Sequence, residues 1–103
     1  MVTVDVHQGL QFRVHLPQAA QVEIVGSFHG WHESTYPMHR DDAGMWTATI
    51  DPGPGAFLFR YRIDGRGWML DPDDHGRATG ADGAIKSRAY RPPRELDPDH
   101  LAA

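Results

Sequence analysis

The sequence predicts an all-β sandwich of about seven strands, and three observations carry that prediction. Several stretches alternate apolar and polar residues with the period of two that marks a half-buried strand. They recur at intervals of roughly eight to twelve residues, with Gly, Pro and Asp turn chemistry between them. No window sustains a helical period.

The elements follow in order. In Gln11 to Leu16, Phe12, Val14 and Leu16 alternate with Gln11, Arg13 and His15, and Pro17 ends the run because it lacks the ladder N–H. Gln21 to Val25 repeats the pattern with Val22 and Ile24 inward. Met45 to Ile50 does so with Trp46, Ala48 and Ile50 inward, which makes Trp46 a core residue. Between them, Ser34 to Asp42 is expected to hold at most one irregular turn. Asp51-Pro52-Gly53-Pro54-Gly55 is a loop. After it comes the strongest strand, in which Phe57, Phe59, Tyr61 and Ile63 face one way and Leu58, Arg60 and Arg62 the other. Asp64-Gly65 is a hairpin signal, and Trp68-Met69-Leu70 is a short return strand ending at Asp71-Pro72. Asp73 to Gly83 reads as a polar surface loop, and a last strand runs from about Ala84 to Tyr90. The sandwich is thus expected over residues 1–90. Residues 91–103 form a Pro-rich, charged tail, either mobile or laid along the sandwich as a polyproline-like strip.

Composition bounds the function. A chain of 103 residues is one domain, too short for a two-domain enzyme. Ten Lys and Arg against 14 Asp and Glu give a net charge of −4, which argues against a nucleic-acid partner. No cysteine is present, so a disulfide framework and a thiolate zinc site are excluded. Residues 1–5 show neither the basic nor the apolar part of a secretory signal, and no apolar run is long enough to cross a bilayer. The expectation is a soluble, cytoplasmic protein with no membrane partner. The initiating Met and the distinct tail fit an entire small protein.

Two stretches stand out for chemistry. Gly26-Ser27-Phe28-His29-Gly30-Trp31 ends a strand in a small-residue turn that carries an indole off the alternating face. Arg60-Tyr61-Arg62-Ile63-Asp64-Gly65-Arg66-Gly67-Trp68 sets basic residues on an outward strand face before a second indole. A pyranose ring offers C–H groups on its faces and hydroxyls at its rim, so indoles suit the faces and the Arg60 fork of donors suits the rim. Two indoles along one groove favour a polymer over a single sugar. Each residue also has a plain structural alternative: Trp31 as core packing, Trp68 as a cap on the sandwich edge, Arg60 and Arg62 as a solvated strand face.

These fragments, together with Pro37-Met38-His39-Arg40, Gly44-Met45-Trp46, Pro54-Gly55 and Trp68-Met69-Leu70-Asp71-Pro72, stand in one order and spacing. In that arrangement the chain resembles the carbohydrate-binding module family 48 domain over about residues 10–90. That domain is the early-set, immunoglobulin-like sandwich of the glycogen-binding region in AMP-activated protein kinase beta subunits, also found in front of glycogen-branching and debranching enzymes. The resemblance implies that Trp31 holds the place of the tryptophan that stacks on a glucose ring. His29 stands where the family usually has Asn. Trp68 fits the second tryptophan after a one-residue insertion at Gly67, and Arg60 fits the basic residue that bonds sugar hydroxyls. In the last loop the family often presents an apolar residue and an Asn, where this chain aligns Asp82 and Lys86 around Gly83.

Other chemistries find less support. Among seven histidines, His29 and His32 suggest a metal pair, but no third ligand follows at a recognisable spacing and a turn does not fix their geometry. Asp71, Asp73 and Asp74 are adjacent in one loop, whereas glycoside hydrolysis needs two carboxylates across a cleft. There is no G-x-S-x-G arrangement. The reading is an immunoglobulin-like, early-set β-sandwich that binds α-1,4-glucan, polysaccharide or malto-oligosaccharide, through Trp31, Arg60, Trp68, Asp82 and Lys86, without catalysis, metal or cofactor. A glucan-metabolising enzyme or a kinase encoded elsewhere is a further partner under the resemblance. The rival is a protein-interaction or oligomerisation module that keeps the fold and has lost the sugar.

Overall fold

The alternating stretches become strands, and shorter stretches without alternation pair along their flanks. The computed structural model describes residues 1–5, 7–30 and 32–93, and among them there are ten strands and no helix. In chain order they are β1 (Val2–Asp5), β2 (Gly9–His15), β3 (Val22–Gly26), β4 (Ser34–Pro37), β5 (His39–Arg40), β6 (Met45–Ile50), β7 (Gly55–Ile63), β8 (Gly67–Met69), β9 (Arg77–Thr79) and β10 (Ile85–Arg91). One sheet has the order β1-β2-β6-β5. The other has the order β4-β3-β7-β10-β9, with β8 paired to the end of β7 beyond β10. Every pairing is antiparallel, so the architecture is a two-sheet β-sandwich consistent with the early-set, immunoglobulin-like fold.

The inward residues of β2 and β6 meet those of β3 and β7. Leu10, Phe12, Ile24, Phe59 and Tyr61 are fully buried, and Phe12 packs edge-on against Phe59 at 4.9 Å between ring centres. Each such side chain contributes about 1.5–3 kcal/mol through burial alone. Trp46 is core, as the alternation predicts, and its indole N–H donates to the Leu16 carbonyl at 2.9 Å.

Four strands depart from the sequence expectation. Ser34 to Asp42 holds β4 and β5 rather than an irregular turn, and the Asp73 to Gly83 loop contains β9. The stretch read only for a leader forms β1. All four are short edge strands, with few or no residues facing the core. Their structure comes from pairing with a neighbour, which local periodicity does not record. At the other end β10 runs through Arg91, one residue into the expected tail, and residues 94–103 lie outside the described residues.

Polar anchors fix the loops. The Tyr61 hydroxyl donates to the buried Asp71 carboxylate at 2.6 Å, and the Asp71 N–H donates to Ser87 Oγ at 2.8 Å, tying the loop after β8 to β7 and β10. Burial, and then the Asp71 carboxylate, push the Tyr61 phenol above its ordinary pKa. His75 Nδ1 accepts from the Tyr90 N–H at 2.8 Å, so its proton sits on Nε2, 3.0 Å from the Val2 carbonyl, and the ring joins the two sheets. In the β7–β8 hairpin, Asp64 and Gly65 both take positive φ, 53° and 76°, and the Arg66 N–H closes the turn on the Ile63 carbonyl at 3.2 Å. The Asp64 carboxylate then accepts the Ala20 and Gln21 N–H groups at 2.8 and 2.9 Å.

Candidate functional site

The outward face of the six-stranded sheet gathers what the two sequence stretches carry. Register decides this. Glu23 on β3 lies opposite Arg62 on β7, and Arg62 lies opposite Trp68 on β8. Two residues along β7, Arg60 lies opposite Val25. The extra residue at Gly67 is absorbed at the hairpin, where Gly67 pairs with Ile63, so Trp68 still falls on the outer face.

Trp68 is 47% exposed, and the Arg60 guanidinium lies over its ring at 3.8 Å from the centre. One indole face therefore rests on a cation, while nearly half of the residue's surface stays open to solvent. Arg62 stands 5.8 Å from the same ring and is held by Glu23, whose Oε1 lies 3.1 Å from Arg62 Nε and 3.0 Å from Nη2. Arg60 Nη2 is 3.7 Å from Asp82 Oδ2, close enough for charge attraction but too long for a hydrogen bond. Arg60 Nε is buried without a hydrogen-bond partner among the described residues. The outer nitrogens of Arg60 thus keep donors for a ligand.

Asp82 sits in the turn between β9 and β10, and Lys86 is the second residue of β10. Lys86 is buried, with its ammonium 3.1 Å from Glu33 and 3.3 Å from Asp82. The Ala84 N–H foremost, then the Lys86 and Arg60 charges, hold the Asp82 carboxyl below its ordinary pKa against the opposing effect of burial. A shallow pocket of about 270 Å³ opens beside this cluster, with Ser27, His32, Glu33, Leu58 and Gly80 among its walls.

The Gly26 turn leads to the same end of the site. A Cβ on Gly26 would overlap Phe28 Cε2 and lie 2.9 Å from Phe59 Cβ, so only glycine lets Phe28 fold into the core there. The turn then surfaces at His29 and Gly30. Trp31 lies outside the described residues, and its neighbour His32 lines the pocket.

Arg60, Trp68, Asp82 and Lys86 are thus brought together on one face. Three participants escaped the sequence reading. Glu23 is a polar residue of an alternating strand, Glu33 precedes a strand with no alternation, and Arg62 reads as solvated. The signal that finds the first is opposite charge at facing positions of β3 and β7, 39 residues apart, which is visible only once the register is known.

Residues 2–78 match the family described as carbohydrate-binding module 48 (isoamylase N-terminal domain). The 1,4-alpha-glucan branching enzyme GlgB of Paramagnetospirillum magneticum is 40% identical over 78 residues, covering 71% of this chain and 10% of that enzyme. Its counterpart from Cupriavidus pinatubonensis is 38% identical over 73 residues, covering 69% of this chain and 9% of that enzyme. The chain therefore spans about a tenth of the length of these relatives. Among solved structures, the maltotriose complex of PulA from Klebsiella pneumoniae superposes with a TM-score of 0.67 at 25% identity, over 86% of this chain and 10% of that one. Pullulanase from Anoxybacillus sp. LM18-11, complexed with maltotetraose, superposes at 0.65 and 26% identity, over 84% of this chain and 13% of that one.

Proposed function

The chain belongs to the carbohydrate-binding module 48 family, and from that premise we propose that it binds α-1,4-glucan chains, without catalysis, on the outer face of the six-stranded sheet. One observation carries the reading: the exposed Trp68 indole, backed at 3.8 Å by the Arg60 guanidinium, which reaches toward Asp82 at the wall of the neighbouring pocket. The exposed indole face stacks on a glucose ring, and the outer Arg60 nitrogens donate to its hydroxyls. Trp31, on the segment that leads into the pocket, supplies the second platform. Asp82 accepts hydroxyls at the rim. Lys86, with both carboxylate partners already engaged, holds the turn between β9 and β10 against Glu33.

The substrate class draws on the relatives, which are α-glucan branching enzymes, and on the structural neighbours, whose complexes hold maltotriose and maltotetraose. Absence of catalysis rests on the acidic cluster: Asp71 is buried and engaged by Tyr61 and the Asp73 N–H, so it does not face Asp74 across a cleft. Chemistry on the bound glucan falls to a glucan-metabolising enzyme that this module serves. Affinity is modest, because each sugar hydroxyl exchanges water for protein at small net gain.

The test is electrophoresis of the folded protein in native gels with and without glycogen, beside Trp31→Ala and Trp68→Ala. Retardation of the wild type, reduced in both variants, is the expected result. Unchanged mobility of the wild type at high glycogen overturns the reading and turns attention to a protein partner, for which exposed Val4 and Tyr90 beside Pro92 are the place to start.

A further inference from the structure

The sheet face continues past the indole. Glu23, Arg62 and Trp68 form one row across β3, β7 and β8, two strand spacings or about 10 Å wide. Within that row the ion pair is only half used. Glu23 Oε1 takes both Arg62 contacts, which leaves Glu23 Oε2 and Arg62 Nη1 without a partner among the described residues. Neither atom is sealed off, since among the described residues the buried side-chain polar atoms without a hydrogen bond are Arg60 Nε and Arg91 Nε. The side chains are nevertheless fixed: Glu23 keeps 14% of its surface exposed and Arg62 31%. An acceptor and a donor therefore remain at the two ends of an ion pair that stands in the same row as an aromatic platform, both side chains oriented by the contact between them.

Resting on the glucan reading above, we propose that the Glu23–Arg62 pair is a further sugar subsite, which binds hydroxyls of the glucosyl residue adjoining the one stacked on Trp68. Each ring hydroxyl can both donate and accept a hydrogen bond. Glu23 Oε2 accepts one from a hydroxyl at its end of the pair, and Arg62 Nη1 donates one to a hydroxyl at the other end. The indole holds the neighbouring ring in place, so the pair adds affinity only for a ligand long enough to leave Trp68 and continue toward β3. Because both side chains are ordered before binding, little rotamer entropy is lost on contact. A carboxylate paired with a guanidinium also keeps the row neutral, which suits an uncharged polymer.

The experiment is a titration of the ¹⁵N-labelled full chain with maltoheptaose, following the Trp68 indole N–H and the Arg62 Nε–H, the latter assigned by its absence in Arg62→Lys. Glu23→Gln, nearly isosteric, is titrated alongside after its thermal unfolding has been matched to the wild type. The expected result is that both signals move with one midpoint and that Glu23→Gln binds about three- to fivefold more weakly, the scale of one net hydrogen bond. If Trp68 moves while Arg62 stays still and Glu23→Gln binds like the wild type, the subsite is overturned and the glucan reading stands. If no signal moves at saturating maltoheptaose, the glucan reading fails and the subsite fails with it.

Discussion

The two outer faces of the sandwich come from the same kind of alternating strand and differ in how their polar residues are held. On the four-stranded sheet Gln11 faces Thr49 and Arg13 faces Thr47 across β2 and β6. Gln11 reaches only Gln8, and among the described residues Arg13 makes no ion pair and no side-chain hydrogen bond. On the six-stranded sheet Glu23 holds Arg62 at 3.0 Å, and Arg60, Asp82, Lys86 and Glu33 are linked in sequence by contacts of 3.1–3.7 Å, with the Trp68 ring between the two groups, 3.8 Å from Arg60 and 5.8 Å from Arg62. Solvated charge is the ordinary outcome for a strand face. Charge that is partly buried and tied down costs desolvation that its Coulomb energy barely returns, so stability alone does not account for it. The difference between the faces lies in organisation and not in composition.

That contrast can be broken or sharpened in four ways. Phe59→Ala removes a fully buried ring from the core that both faces share, and is expected to cost about 3–5 kcal/mol, read as a lowered denaturant midpoint. Both faces should lose order together, and an intact outer face in the variant would break the comparison. Tyr61→Phe deletes the hydroxyl that satisfies buried Asp71 and is expected to cost about 1–3 kcal/mol by the same measurement. Trp68→Ala removes an exposed side chain, so its effect on stability should stay within about 0.5 kcal/mol while glycogen retardation in native gels falls severalfold. Arg13→Ala on the opposite face should leave both quantities unchanged. Equal losses from the two would erase the distinction between the faces.

The smallest effect concerns pH. Because the Asp82 carboxyl is depressed in the folded chain, its contribution to holding the β9–β10 turn is complete above the ordinary carboxyl pKa of about 4 and is lost as pH falls through the lower, folded value. Lys86→Met removes a cationic partner, so carboxyl NMR titration should place Asp82 higher in the variant than in the wild type. An unmoved titration would show that the Ala84 N–H and the Arg60 charge set it without Lys86.

Much of this architecture was legible in the sequence, and the illegible part has a common cause. β2, β3, β6 and β7 carry enough inward apolar residues to announce both strand and face, whereas β10 buries Ala89 as its one apolar residue and leaves Ile85 and Tyr90 exposed. β4, β5 and β9 present almost nothing to the core, so their extended backbone is imposed by a neighbour and leaves no period. The site divides the same way. Trp68 and Arg60 flank a turn that the sequence locates, whereas Glu23 and Arg62 become partners only through a pairing between strands far apart in the chain. Lys86 falls at the start of the last strand, as the alternation places it, but its burial between two carboxylates is an arrangement set by tertiary approach.

The β7–β8 hairpin makes the site unequally tolerant of changes in chain length. The Asp64-Gly65-Arg66 connection accepts the extra residue at Gly67 and keeps the indole opposite Arg62. A residue inserted between Gly65 and Arg66 would only lengthen the loop. The same residue inserted between Gly67 and Trp68, with Ile63 and Gly67 still paired, would rotate the indole to the core side and empty the platform, although composition and charge would hardly change. For engineering or drift in this chain, a single peptide unit on one side of Gly67 is neutral and on the other side erases the site.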